Sequence, residues 1–459
     1  NVSYTRFFNF VNLFVKKEGE LSVKKAFILS IVLLILFVTA CSNSADSLNG
    51  EADGSETGAD TEEIELTFTT WGNEKHIEMY EKVLEEFHDE HPNITVKIQS
   101  IPHADYQQKI SVLAAGQELP DVGWVAERMV PQFVQNGILR DVSVLKDDQD
   151  FEFDDFIPST LELWEHDGAL LGLPFSTPPM IFYYNKTLFE EAGIETPNEF
   201  VQKGEWTWEK FEEVSRELSK GEGSDRVYGA RLFYEWTNFA LMLSHTWAHG
   251  GDLFNDDMTE FTWDSPQGRN TLEMLDRMMF EDRSHVPPQE EINFESGKVG
   301  MFPFMYSYIA NLRDITDFEW DIAPLPKGPE GRMPLLGQAG IVAFEDSQHP
   351  EEALELLKFL TSKKGIQASS TYFVPPRRSV LESDEFINVP NNPPRESIEM
   401  ALINEMDKAR VYPQHKDWTK IESEIISGFD QLFSQMAEPA DILNEMKQNI
   451  DPILEQATN

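Results

Sequence analysis

The chain of 459 residues holds one cysteine, Cys41, so no internal disulfide can brace it and no second thiol can complete a redox pair. Basic residues are scarce, with 37 Lys plus Arg against 81 Asp plus Glu and a formal charge of −44. Phosphate backbones are bound by basic patches, so nucleic acid is not an expected partner. The charge bears on solubility and does not by itself select a cationic ligand. Catalytic signatures are missing too: there is no Gly-x-Ser-x-Gly elbow, no Gly-x-x-x-x-Gly-Lys phosphate loop and no cysteine outside position 41 to act as a nucleophile. His245 and His249 stand four apart, a spacing that can seat two metal ligands on one helical face. A zincin needs Glu directly after the first His, and Thr246 stands there, so two ordinary helix histidines are expected and no metal. Acid pairs are too numerous for any one to mark a glycosidase. No repeat of solenoid period is present, and no cofactor is expected.

What is present begins near the amino end. Lys24 and Lys25 precede the apolar run Ala26 to Val38, and Thr39-Ala40-Cys41 follows. A basic stretch, a short hydrophobic segment and small residues before a break make a secretory signal. The run is also shorter than the roughly 20 residues of a comfortable membrane span. Cys41 directly after Val38-Thr39-Ala40 resembles the bacterial lipobox, in which the cysteine is lipidated and becomes the first mature residue. Each acyl CH₂ buried in a membrane adds about 0.8 kcal/mol, and two or more chains hold stably. Residues 1–40 are therefore read as an upstream extension and signal. Residues 41–61, rich in Ser, Gly, Ala, Asp and Glu, are read as the lipidated cysteine and a disordered acidic tether.

The remainder is long enough for two domains. Ile64 to Thr69 alternates apolar and polar residues and predicts a strand ending at Trp71-Gly72. Ile77, Tyr80, Val83, Leu84 and Phe87 fall on one helical face, stopped by His91-Pro92. Ile94 to Ile98 predicts a second strand, Tyr106 to Ala115 a second helix closed by Gly116, and Pro120 to Val125 a third strand. Such alternation is the pattern of a parallel α/β sheet, and ligands bind beyond the carboxyl ends of its strands. That geometry points to Trp71–Glu74 and Trp124–Arg128.

Several further motifs follow in order. They include Ala114-Ala115-Gly116-Gln117, Leu119-Pro120-Asp121-Val122, Gly172-Leu173-Pro174 and Tyr184-Asn185-Lys186. Ala192-Gly193-Ile194, Gly297-Lys298-Val299-Gly300-Met301, Trp320 to Pro329 and Pro375-Pro376-Arg377-Arg378 come later. Together they resemble the family 1 extracellular solute-binding proteins, the group that includes the maltose-binding type. The resemblance implies an α/β, two-lobed periplasmic-binding-protein-like fold of type II, with the cleft between lobes and three crossings near Leu171, Pro326 and Tyr372. Lobe one is expected at 62–171 plus 327–372, and lobe two at 172–326 plus 373–459. The implied function is capture of a sugar or oligosaccharide for an ABC importer, with permease subunits as partners, and no catalysis. The resemblance also implies a monomer, lipid-anchored on the extracytoplasmic face of a Gram-positive cell membrane. The alternatives are a secreted carbohydrate-active enzyme and a binder of another small solute such as a peptide or polyol.

A pyranose offers apolar C–H faces and a belt of hydroxyls, so its site needs aromatic platforms edged by carboxylates, amides and guanidinium groups. Twelve per cent of this chain is aromatic, with ten tryptophans, which supplies the platforms. The candidates in lobe one are Trp71, Asn73, Glu74, Glu127 and Arg128. In lobe two they are Phe233, Tyr234, Trp236, Tyr306 and Trp418, the last placed where the maltose-binding type carries a late stacking tryptophan.

Overall fold

Phe68 and Leu66 alternate with polar neighbours along Ile64–Thr70, and that strand seeds the first sheet. In the computed structural model, which describes residues 63–72, 74–233, 239–288 and 290–457, this sheet runs in the order 94–100, 64–70, 122–126, 339–343, 173–176. The strands Ile64–Thr70, Ile94–Ser100 and Val122–Ala126 are parallel, with Ile64 opposite Ile94 and Phe68 opposite Val122. Ala339–Ala343 enters antiparallel to Val122–Ala126, with Ile341 opposite Trp124. Leu173–Ser176 lies beyond it in the same sheet, although 172 was expected to open lobe two.

The helix between the first two strands is Glu74–Glu90, and it buries Met79, Tyr80, Val83, Leu84 and Phe87. The next, His103–Gly116, ends with Gln117 rather than Gly116 in the left-handed conformation, at φ 56°. Gln117 sends its backbone N–H to the free carbonyl of Ala114, which closes the helix without the expected glycine. Asn185 caps the helix Lys186–Ala192, its side chain accepting from Leu188 N–H, and Gly193 ends it at φ 69°.

The second sheet has the order 320–323, 180–185, 299–305, 228–230. Met180–Asn185 is antiparallel to both Trp320–Ala323 and Val299–Met305, while Tyr228–Ala230 pairs parallel to the latter. The chain thus passes between the sheets after Ser176, after Ala323 and again after the helix Lys363–Ser369. The carboxyl-terminal helices Trp418–Phe433 and Pro439–Ala457 bury Phe429, Leu432, Ile442 and Leu454 in the same apolar cluster as Phe182 and Trp206. Residues 61–459 form one compact unit. Among the described residues no helix is long and apolar enough to cross a membrane. Cys41 and the apolar run at 26–38 lie outside them.

Lobe two also buries two neutral histidines. His285 Nε2 accepts from Leu232 N–H at 2.8 Å, and Nδ1 faces the Val286 carbonyl. Burial pushes His285 down to about 3 and holds His245 well below its usual range. The unfolded chain therefore binds protons near pH 6.5 that the native state refuses, so this contribution to stability is whole above about pH 6.5. For His285 it declines through the window from about 6.5 to about 3, at roughly 1.4 kcal/mol per pH unit. Burial raises Asp321, which acts in the opposite sense, so the comparison must be made between variants. The expected result is a flatter acid limb of the Tm–pH curve in His285→Gln than in the wild type. An unchanged slope would remove His285 from this account.

Candidate functional site

The strand Ile64–Thr70 ends at Trp71-Gly72, and Gly72 takes φ 151°, in the region favouring glycine. A Cβ there would lie 2.6 Å from His76 Cβ, so glycine lets the first turn of the following helix fold back beside Trp71. Trp71, half-buried, stands edge-on to Trp124 with ring centroids 5.0 Å apart. Trp124 is on the adjacent strand, held by Tyr106, whose hydroxyl donates to the Trp124 carbonyl at 2.7 Å and the Thr69 carbonyl at 3.1 Å. Trp124 Nε1 is buried and meets no acceptor among the described residues.

These residues form one wall of a cleft of about 590 Å³. Trp71, Lys75, His76, Trp124 and Glu127 line it from the first sheet's side, and Ser307, Ala310 and Asn311 from the second's. Gln338, Tyr372 and Phe373, on the connecting segments, close its floor. The cleft therefore lies where the carboxyl ends of parallel strands face the other lobe.

Glu127 follows the strand Val122–Ala126 and is fixed from behind. Gln338 N–H donates to Glu127 Oε2 at 3.0 Å, and Glu127 N–H donates to the Gln338 carbonyl at 3.1 Å. Gln338 is itself held by Trp164, whose Nε1 donates to Gln338 Oε1 at 3.1 Å. Trp164 fits there because Gly172 and Gly340 have no side chains; a Cβ at either would come within 2.6 Å of its ring. Burial raises the Glu127 carboxyl above its usual range, while Arg128 and the Gln338 N–H oppose that rise. The result is a half-buried carboxylate whose remaining lone pairs can accept hydroxyl donors.

The other candidates are dispersed. Glu74 is exposed in the first helical turn, and the adjacent Lys75 lines the cleft instead. Arg128 reaches Glu422, Nη1 to Oε1 3.4 Å, and lies 5.7 Å from the Tyr412 ring centre. Phe233 is buried against Phe433 and Phe429, with centroids 5.4 and 5.9 Å away. Tyr306 is buried beside Phe386, so its neighbours Ser307 and Asn311 face the cleft in its stead. Trp418, 8% exposed, packs against Tyr412, Phe239 and Phe254 in the lobe-two core. Asn73, Tyr234 and Trp236 lie outside the described residues. His245 donates or accepts at Thr271 Oγ1, 2.7 Å away, and His249 meets the His245 carbonyl at 2.8 Å. Among the described residues no cluster of three or more potential metal ligands occurs. Ser307 and Asn311 could have been found by extending the strand-end rule to Val299–Met305. Gln338 and Phe373 carry no local signal, because only the crossing topology brings them to the floor.

Comparison with known proteins agrees with this geometry. The model of the family described as bacterial extracellular solute-binding protein matches residues 73–367. A binding protein of Brucella abortus is 24% identical over 413 residues, covering 87% of this chain and 95% of that protein. An arabinooligosaccharide-binding protein of Halalkalibacterium halodurans is 23% identical over 342 residues, 70% of this chain and 73% of that protein. The structure of an ABC substrate-binding protein from Listeria monocytogenes in complex with cycloalternan superposes with TM-score 0.73 at 22% identity, over 86% of this chain and 99% of that one. Its fold is thus shared. With two sheets joined by three crossings, a cleft between them and a family match over most of its length, this chain belongs to the bacterial extracellular solute-binding proteins.

Proposed function

We propose that the chain is the substrate-binding lipoprotein of an ABC importer, capturing a sugar or oligosaccharide in the interlobe cleft and delivering it to a membrane permease. One observation carries the ligand class: the cleft sets the Trp71–Trp124 ring pair beside the pinned carboxylate of Glu127. Ring faces suit the C–H faces of a pyranose, and Glu127, Gln338, Ser307 and Asn311 suit its hydroxyls. Names among the relatives, arabinooligosaccharide and cycloalternan binding, support the same class. Glycoside hydrolysis uses two carboxyl groups flanking the bond, and among the described lining residues Glu127 is the one carboxylate. Binding without catalysis is the reading this favours. Lipidation at Cys41 would hold the protein at the extracytoplasmic face of a Gram-positive membrane, where a monomer meets its permease.

Thermal unfolding of residues 61–459 against maltose, maltotriose, arabinotriose, glycerol and amino acids tests the ligand class. A saccharide at 100 times its Kd is expected to add about 2.7 kcal/mol to the stability of the native state, raising Tm without new reducing ends. Release of reducing ends would replace the binding protein with an enzyme. A shift with amino acids or glycerol alone would replace the sugar.

A further inference from the structure

The two lobes meet through side chains as well as through the crossing segments. Arg128 follows the strand Val122–Ala126 of the first sheet, and its Nη1 lies 3.4 Å from Glu422 Oε1 on the helix Trp418–Phe433. The same guanidinium lies 5.7 Å from the ring centre of Tyr412, which is buried in the lobe-two core. Glu127, one residue before Arg128, has its carboxylate fixed by Gln338 N–H and faces the cleft. Arg128 therefore stands between a cleft carboxylate of its own lobe and a carboxylate of the other.

We infer that Glu422 and Tyr412 are positioning residues that hold Arg128 across the lobe boundary, so that this contact sets how often the lobes are closed around the cleft. The inference rests on the cleft being the ligand site, but the closing contact itself needs no ligand. The physical reasoning is linkage. A contact made only when the lobes are together lowers the free energy of the closed form and not of the open one, and it shifts the population by that difference. Glu422 is only 19% exposed against 45% for Arg128, so the pair is partly shielded on the lobe-two side. An aromatic face beside a guanidinium adds a further attraction that is lost on opening. Arg128 is also where ligand and closure meet: a hydroxyl accepted by Glu127 changes the field at Arg128, and lobe separation removes its second carboxylate.

The test measures the distance between lobes directly. Val112 and Met436 are 59% and 78% exposed, one on each lobe. Spin labels on Val112→Cys and Met436→Cys in the full Cys41→Ser chain, in mild detergent, report the interlobe distance distribution by pulsed electron resonance. E422Q is expected to raise the open-to-closed ratio roughly two- to fivefold. R128Q should do the same, and R128Q/E422Q should be no more open than either alone, because both remove one contact. The exchanged pair R128E/E422R should recover most of the short-distance population, which a residue that merely supports the fold would not do. With maltotriose as the probe, E422Q should speed dissociation by the same factor and leave association unchanged.

A wild-type distance distribution in E422Q, or an exchanged pair as open as the single variants, overturns the inference whether or not maltotriose binds. Maltotriose failing to bind, with the distance changes intact, would count against the sugar reading and leave the interlobe contact standing.

Discussion

Arg377→Met is expected to lower the unfolding free energy by about 3–5 kcal/mol, read as a fall in the urea midpoint. Arg377 has no exposed surface, yet every face of its guanidinium is used. Nε donates to the Thr361 carbonyl at 2.8 Å, Nη1 to Glu152 O at 2.9 Å and Nη2 to Phe151 O at 2.9 Å. Its Cζ lies 4.1 Å from the Phe156 ring centre and 4.7 Å from that of Phe151, with Asp155 Oδ2 3.7 Å from Nη1. Burial lowers its pKa to about 10, with Asp155 resisting, so the group stays charged at neutral pH. Methionine fills much of the volume but takes the arginine donor from the buried Thr361 and Phe151 carbonyls, at about 1–3 kcal/mol for each unsatisfied group before relaxation, while Glu152 O keeps the Asp155 N–H. Lysine keeps the charge and cannot present a planar fork to three acceptors, so Arg377→Lys should fall between the two. Arg377 joins the third crossing to the 151–156 loop and to the end of the helix Pro350–Thr361, so the loss should appear in global unfolding. A midpoint within error of the wild type would mean that water replaces the arginine at no cost.

Glu127→Ala is expected to weaken saccharide binding by tenfold to a hundredfold while leaving the ligand-free Tm nearly unchanged. A hydrogen bond to a charged group is worth about 1.5–3 kcal/mol, and a cleft hydroxyl that loses its acceptor on closure is left unpaired. The native fold loses little, because Gln338 lines the cleft, where water can take up the N–H that Glu127 leaves, and the Glu127 backbone still donates to the Gln338 carbonyl. Calorimetric titration with whichever saccharide raises Tm in the wild type measures the first effect. Equal affinities would move the site away from Glu127.

The helical and strand content of lobe one was readable because its signals are local. The face through Tyr80, Val83, Leu84 and Phe87 repeats at helical spacing, and all four are buried. The strand-end rule likewise pointed to Trp71 and Glu127, which line the cleft, since each lies one residue past a strand whose period is visible. Phe233, Tyr306 and Trp418, chosen as aromatic platforms of lobe two, are instead buried, for one shared reason. An aromatic side chain serves a core as well as it serves a sugar, and nothing in the local pattern says which side of the backbone faces the cleft. Tyr306 shows how fine the margin is: it is buried beside Phe386 while Ser307 lines the cleft.

The pair Arg377-Arg378 makes the same point with charge. Two identical residues in one motif have opposite fates, Arg377 wholly buried and Arg378 39% exposed on Asp407. The periodicities and the order of motifs were enough to determine the family and the α/β class, and they pointed to two strand ends that line the cleft. They act over a few residues or over the whole chain, and both scales are legible in a sequence. The tertiary structure decided the cleft floor of Gln338 and Phe373, the partner of Arg128 and the burial of Arg377. Each depends on segments separated by tens to hundreds of positions, whose approach is set by how two sheets exchange strands and crossings.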